Sequence, residues 1–156
     1  MKQLKVEIIP FEDKYVQDFS KLNFEWLEKY FYIEEYDKKV LLDPQNYILK
    51  EGGYIFFALI GGEVVGTVAL LKRENGIFEL SKMAVTENYQ GQRIGQKLMY
   101  ACIDFAGRNG FVRLFLDSNT KLEPAITLYN KVGFREIPVP KDTPYERCNI
   151  RMELNV

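Results

Sequence analysis

Three strand-length apolar runs, separated by two glycine turns, constrain this chain's fold more than any other feature. Tyr54–Ile60 and residues 63–72 flank Gly61-Gly62, and Asn75-Gly76 leads into Ile77–Val85. Glycine and asparagine reach the positive φ angles that tight hairpin turns demand, so each pair joins neighbouring antiparallel strands. The stretch reads as a three-stranded meander.

On either side of it the period becomes helical. Residues 4–9 alternate as a first strand that Pro10 ends, and Asp13 caps a helix carrying Tyr15, Phe19, Leu22, Trp26 and Tyr30 three or four apart. A second short helix covers residues 34–42, stopped by Asp43-Pro44. After the meander, Ile94, Leu98, Met99, Ala101, Cys102, Phe105 and Ala106 form an apolar stripe, closed by Asn109-Gly110 in a left-handed cap. Residues 111–116 are apolar enough for a central strand. Pro124 opens a helix over residues 124–131 that Gly133 ends, and residues 134–137 and 148–154 close the order as strands. The result is a mixed α+β sheet of about six to seven strands, with helices on both faces, in a single domain spanning residues 1–156.

Composition narrows the chemistry. The 47% hydrophobic and 28% charged fractions belong to an ordinary globular protein. A net charge of -1 gives no general attraction to nucleic acid or anionic membrane. No apolar run is long enough to span a bilayer, and Met1-Lys2-Gln3-Leu4-Lys5 is not a signal peptide, so a cytoplasmic location is expected. The two cysteines, Cys102 and Cys148, have no metal-ligand spacing and read as free thiols; no metal is expected. Histidine is absent, which removes Ser-His-Asp and Cys-His hydrolases and leaves proton transfer to Glu, Asp, Tyr, Lys, Cys or water.

The most chemically suggestive segment is Gln90-Gly91-Gln92-Arg93-Ile94-Gly95, between a strand and a helix. A turn that opens a helix aims free backbone N–H groups and the positive end of the helix dipole at one point, which suits a pyrophosphate. Gly91 and Gly95 allow close backbone approach, and Arg93 and Lys97 add charge. Neither the Rossmann GxGxxG string nor the Walker GxxxxGK string with a following Ser or Thr occurs. By itself this turn argues only for an anion, and a structural loop remains the competing reading.

Glu79-Leu80-Ser81-Lys82-Met83-Ala84-Val85 followed by that turn resembles motif A of the GNAT superfamily of N-acetyltransferases. Asn119, Ala125, Leu128-Tyr129 and Gly133-Phe134 resemble its motif B. One position departs: the family usually has glycine where this chain has Arg93. The resemblance implies a GNAT-like acyl-CoA N-acyltransferase fold, acetyl-CoA as acyl donor and an amine as acceptor. It implies that pantetheine pairs with backbone near Met83, Ala84 and Val85, and that the pyrophosphate sits on the amides of Gln90, Gly91, Gln92, Arg93, Ile94, Gly95 and Gln96. Asn119 and Ala125 then lie along the pantetheine arm. Tyr129 matches the family's thiolate-protonating tyrosine, with a core tyrosine as the alternative. Glu79 is the candidate base, directly or through water, against an ordinary strand glutamate, and the Val85 N–H or a neighbour is the oxyanion donor. Cys148 has no histidine to activate it and reads as structural.

The acceptor side is less legible. Asn23, Trp26, Tyr30 and Arg147 are the candidate pocket residues, and Arg147 suits a carboxylate or one of the many glutamates. Glu25, Glu28, Glu34, Glu35 and Asp37 form an acidic cluster that reads as a solvated helix face, with attraction of a cationic amine as the rival. The expected function is acetyl transfer to a small-molecule amine, in a protein that forms homodimers if it follows many of its kind. The alternatives are a non-catalytic acyl-CoA-binding module, acetylation of a protein or peptide amine, and transfer of a longer acyl group.

Overall fold

A computed structural model describes residues 5–156. The strands are β1 (Glu7–Pro10), β2 (Tyr54–Ile60), β3 (Glu63–Glu74), β4 (Ile77–Val85), β5 (Arg113–Ser118), β6 (Arg135–Ile137) and β7 (Ile150–Asn155). The α-helices are α1 (Val16–Tyr30), α2 (Glu35–Leu42), α3 (Ile94–Arg108) and α4 (Glu123–Val132). One seven-stranded sheet runs in the order β1-β2-β3-β4-β5-β7-β6, mixed because β4 and β5 are parallel and all other pairs antiparallel.

The meander is where its turns put it. Gly61, Gly62 and Gly76 have φ of 57, 82 and 77°, the positive values the tight turns require. β2 throughout and β3 from Val64 to Leu71 are largely apolar because they are covered on both faces. Phe56, Ala58, Val68 and Leu70 pack with Leu98, Met99 and Cys102 of α3, whereas Ile55, Phe57, Ala69 and Leu71 pack with Phe19 and Leu27 of α1 and Val40 and Leu41 of α2. The two halves of each strand's alternation feed two separate cores.

Some boundaries differ from the sequence expectation, each for a local reason. Of the first strand expected over residues 4–9, Leu4 lies outside the described residues, and the observed strand runs to Pro10 itself. Asp13–Tyr15 form a 3-10 turn before α1 begins. A π-helical turn over Gln45–Leu49, which no local signal announced, buries Ile48 against the α1/α2 core. β5 starts two residues late because the amides of Phe111 and Val112 are already committed to Ala106 and Gly76 carbonyls. Of the Asn109-Gly110 pair, Gly110 alone takes the left-handed conformation, at φ 70°.

The feature that creates a site is the partnership of β4 with β5. They pair at only three positions, Ile77↔Arg113, Phe78↔Leu114 and Glu79↔Phe115. Beyond Glu79 they part, while β5 keeps its antiparallel partner β7 as far as Ser118↔Ile150. On its other side β4 carries a bulge: between Thr67↔Ala84 and Ala69↔Ser81, two steps along β3 are matched by three along β4. Lys82 occupies the bulge at φ 54°, a left-handed conformation that few non-glycine residues adopt.

Candidate active site

The parted strands open into a cleft of about 900 Å³ between α1 and the starts of α3 and α4. One wall is the β4 segment from Leu80 to Val85, and the opposite wall is Leu116 to Asn119 with Pro124, Ala125, Leu128 and Tyr129 of α4. Backbone groups that would have bridged the two strands face this space instead.

At one end lies the turn into α3. Gly91 has φ 83° and Arg93, the residue just before the helix, has φ 62° and ψ 23°. No side chain caps the helix, and its first internal hydrogen bond runs from the Lys97 N–H to the Arg93 carbonyl. The amides of Ile94, Gly95 and Gln96 therefore precede the hydrogen-bonded turns and point outward from the helix start. A side chain built on Gly95 would meet only the end of Met83, at 3.9 Å, so the space over that amide is open. The left-handed cap gives a physical reason for glycine at this place in similar chains: arginine bears a Cβ that this conformation crowds.

Gln90, Gly91, Arg93, Ile94, Gly95 and Gln96 line the cleft; Gln92 does not. Gln90 reaches further than its backbone, since its side-chain amide donates to the Val85 carbonyl at 3.1 Å and its oxygen receives the Tyr30 hydroxyl at 3.5 Å. Met83, Ala84 and Val85 line the β4 wall. Asn119 also lines the cleft, with its amide already engaged: Nδ2 donates to the Arg147 carbonyl at 2.8 Å and Oδ1 accepts from the Lys121 N–H at 2.9 Å. Asn119 thus lines the cleft and also fixes the turn that follows β5.

Tyr129 is buried in the inner wall, its ring edge-on to Phe134 at 6.2 Å between centroids. Burial pushes its phenol up to about 12, with a contact to Ser118 acting the other way, so it stays protonated at neutral pH. Glu79 is not in the cleft. It is 3% exposed on the α1/α2 side of the sheet, where Arg73 grips it through Nε at 3.0 Å and Nη2 at 2.7 Å, and it borders a separate recess with Arg113, Arg151 and Glu153. Sequence position at the start of β4 could not tell that the strands are still paired at Glu79, below the point where they open.

The other end of the cleft carries a charged cluster that local patterns concealed. By alternation from Leu80, Lys82 belongs on the α3 side; the left-handed bulge instead sends its Nζ to Asp37 of α2 at 3.1 Å and to the Tyr145 hydroxyl at 2.8 Å. Asp37 also receives both terminal nitrogens of Arg147, at 2.8 and 2.9 Å, and Arg147 binds Glu34 at 2.9 Å. Burial pulls the Lys82 ammonium below its ordinary range, with Asp37 opposing. Burial would raise the Asp37 carboxyl, but the Arg147 hydrogen bonds and the Lys82 and Arg147 charges outweigh it and hold it below the usual range. Of the remaining expected pocket residues, Asn23, Trp26 and Tyr30 all line the cleft. The acidic cluster disperses. Glu34 and Asp37 turn inward, Glu25 accepts the Glu87 N–H, and Glu28 and Glu35 stay at the surface.

Neither thiol is activated. Cys102 is fully buried on the inner face of α3, and burial with the nearby Asp117 raises Cys148. Among the described residues no group of three or more His, Cys, Asp or Glu side chains could hold a metal ion, and no helix is long and apolar enough to cross a membrane.

The model of the Acetyltransferase (GNAT) family matches residues 19–134. The chain belongs to that family. The probable N-acetyltransferase camello of Xenopus tropicalis is 34% identical over 102 residues, which cover 64% of this chain and 47% of the relative. This chain spans about half the length of the first such relatives. A GNAT-family acetyltransferase structure from Staphylococcus aureus Mu50 aligns with a TM-score of 0.85 at 24% identity, over 97% of this chain and 99% of that one. The PaiA N-acetyltransferase of Thermoplasma acidophilum, solved in complex with coenzyme A, aligns at 0.74 with 16% identity, over 98% and 100%. The GNAT fold thus extends over nearly the whole chain, β6 and β7 included.

The cap and the buried cluster each generate an expected outcome. Arg93→Gly relieves left-handed strain and should stabilise the protein by about 1 kcal/mol, a rise in Tm of roughly 2–4 °C in a domain of this size; an unchanged or lower Tm in calorimetry would mean that the arginine is unstrained. Asp37→Asn leaves Lys82 and Arg147 short of a counter-charge and should cost about 3–5 kcal/mol at pH 7. Because the Asp37 carboxyl titrates lower in the folded chain, its contribution is complete above about pH 4 and fades as acid protonates it. Urea unfolding across pH should therefore show variant and parent converging in acid, whereas a constant gap would exclude the charge as the cause.

Proposed function

We propose that the protein transfers the acetyl group of acetyl-CoA to an amine of a small molecule. The parting of β4 from β5 beside the uncapped start of α3 carries this reading, because it puts free strand edges and free helix amides in one cleft. The S. aureus and T. acidophilum folds support it, and the latter protein binds coenzyme A.

The residues present fit the donor. The amides of Ile94, Gly95 and Gln96 would hold the pyrophosphate, with Gly91 and the Arg93 charge beside them. Met83, Ala84 and Val85 would offer their backbone to pantetheine as an added strand, with Asn119 and Ala125 opposite. When bound, acetyl-CoA supplies an acetyl group activated as a thioester. The chain's part is to orient that group, to exclude water with Trp26, Tyr30 and Leu128, and to donate protons where negative charge develops. A backbone N–H near Val85 would meet the oxyanion. Tyr129, protonated at neutral pH, would deliver its phenol proton to the departing sulfur and be reprotonated from water, which takes up the proton lost by the acceptor nitrogen. The surplus proton of the acceptor nitrogen would pass to water, since Glu79 is held by Arg73 outside the cleft.

Calorimetry with acetyl-CoA, paired with a thiol-release assay over a panel of amines, tests the reading as a whole. Tight binding with no release for any amine would identify a binding module instead. Within that assay, Tyr129→Phe should lower kcat by about 10²–10⁴-fold while acetyl-CoA affinity changes little; undiminished turnover would remove the general-acid role. Gly95→Asp should abolish acetyl-CoA binding by placing a carboxylate at the phosphate site. An acid in the first turn of a helix is otherwise mildly favourable, and the space is open, so the variant should melt no lower than the parent. Retained affinity would move the pyrophosphate elsewhere.

A further inference from the structure

The charges at the Lys82 end of the cleft have no part in acetyl transfer as derived above. Five cations line the cleft, Lys29, Lys82, Arg93, Lys121 and Arg147, against two carboxylates, Asp37 and Asp117. This is a positive lining in a chain whose formal net charge is -1. Arg93 belongs to the α3 end, Lys29 is matched by Glu87, and Asp117 is matched by Arg151. Around the acceptor end remain Lys82 and Arg147, which share Asp37, with Glu34 from the cap of α2 on Arg147, and Lys121. Lys121 has no carboxylate partner among the described residues; its Nζ rests on the Phe31 ring at 3.9 Å and donates to the Tyr30 carbonyl at 2.7 Å.

Donor counting sharpens the point. An ammonium has three donors, and Lys82 spends two, on Asp37 and on the Tyr145 oxygen. Since that oxygen is the acceptor there, the Tyr145 proton is free to be donated, and burial holds the phenol protonated. Tying α2 to the rest of the fold does not need the lysine, because Arg147 already binds Asp37 with two nitrogens. Yet Lys82 is 8% exposed and held at positive φ, a combination of buried charge and backbone strain that belongs to functional sites more than to scaffolding. A positive lining also disfavours an ammonium and so favours the neutral amine that must attack, while it attracts an anion on the same molecule.

Resting on the acetyl-transfer reading, we propose that the acceptor is an amine bearing a carboxylate, and that the spare donors of Lys82 and Tyr145 receive that carboxylate. Lys82 is then a specificity-determining residue, not one that touches the reacting atoms.

Matched substrates test this directly: amino acids against their amides and decarboxylated amines, in thiol release with acetyl-CoA. The acids should lead by about tenfold or more in kcat/KM, the range of a charge-assisted hydrogen bond. Lys82→Met should raise KM for the acids by a similar factor, with kcat held and the amides unaffected; a merely structural lysine would weaken both series together. Should that variant fail to fold, Tyr145→Phe removes only the phenol donor and should narrow the same gap, and the parent protein's own preference stands as an independent readout. Acids and amides used equally well, or the decarboxylated amines preferred, would overturn the carboxylate site while leaving acetyl transfer intact. Calorimetry showing no acetyl-CoA binding would overturn both.

Discussion

A parallel strand pair normally continues for the length of the shorter partner, because each unpaired amide facing its neighbour forgoes a hydrogen bond. In this protein β4 and β5 stop after three positions, and nearly everything chemical follows from that interruption. The bulge at Lys82 adds a residue to β4 on the β3 side, which turns the strand, while β7 keeps β5 on its own course as far as Ser118. The split is affordable because the sheet is clamped above and below. Apolar cores on both faces hold β2, β3 and the lower part of β4 in place, so the opening is confined to the upper end.

Both ends of the cleft are positive, but by different means. At α3 the positive field comes from backbone amides and a helix dipole, with the Arg93 side chain beside them. At α2 it comes from Lys82 and Arg147 converging on Asp37, charges drawn from β4, from the segment before β7 and from a helix some forty residues earlier. Tyr129 is buried in the wall that α4 contributes, with its proton retained by burial.

Much of this could be read in the chain. The glycine turns at Gly61-Gly62 and Asn75-Gly76 set the meander, the period of three or four set α1 and α3, and Pro124 with Gly133 set α4. The turn at Gln90 to Gly95, joined to the Asn119 and Tyr129 region, pointed to the family that the match over residues 19–134 bears out. The misplacements have physical causes. Glu79 looked like a cleft residue because it starts the right strand, but whether β4 has yet left β5 at that residue is a matter of pairing between segments thirty-odd positions apart. Lys82 stood in the sequence only as part of a family motif, and a bulge in the middle of a strand has no turn signal of its own to mark which residue it redirects. The acidic stretch over residues 25–37 looked like a solvated face, yet Asp37 is fully buried, drawn in by cations from β4 and the β6–β7 connection.

What the sequence determined by itself is therefore local: turn positions, helix stripes, the amides presented at the start of α3, and the want of any histidine. These depend on φ preferences and on neighbours a few residues away, which a chain carries before it folds. Only the tertiary structure decided where β4 and β5 separate, that Lys82 and Arg147 meet on Asp37, and that Arg73 takes Glu79 away from the cleft. Each of those is a contact between distant segments, made by whichever partner burial brings within hydrogen-bond reach, and no local pattern encodes it.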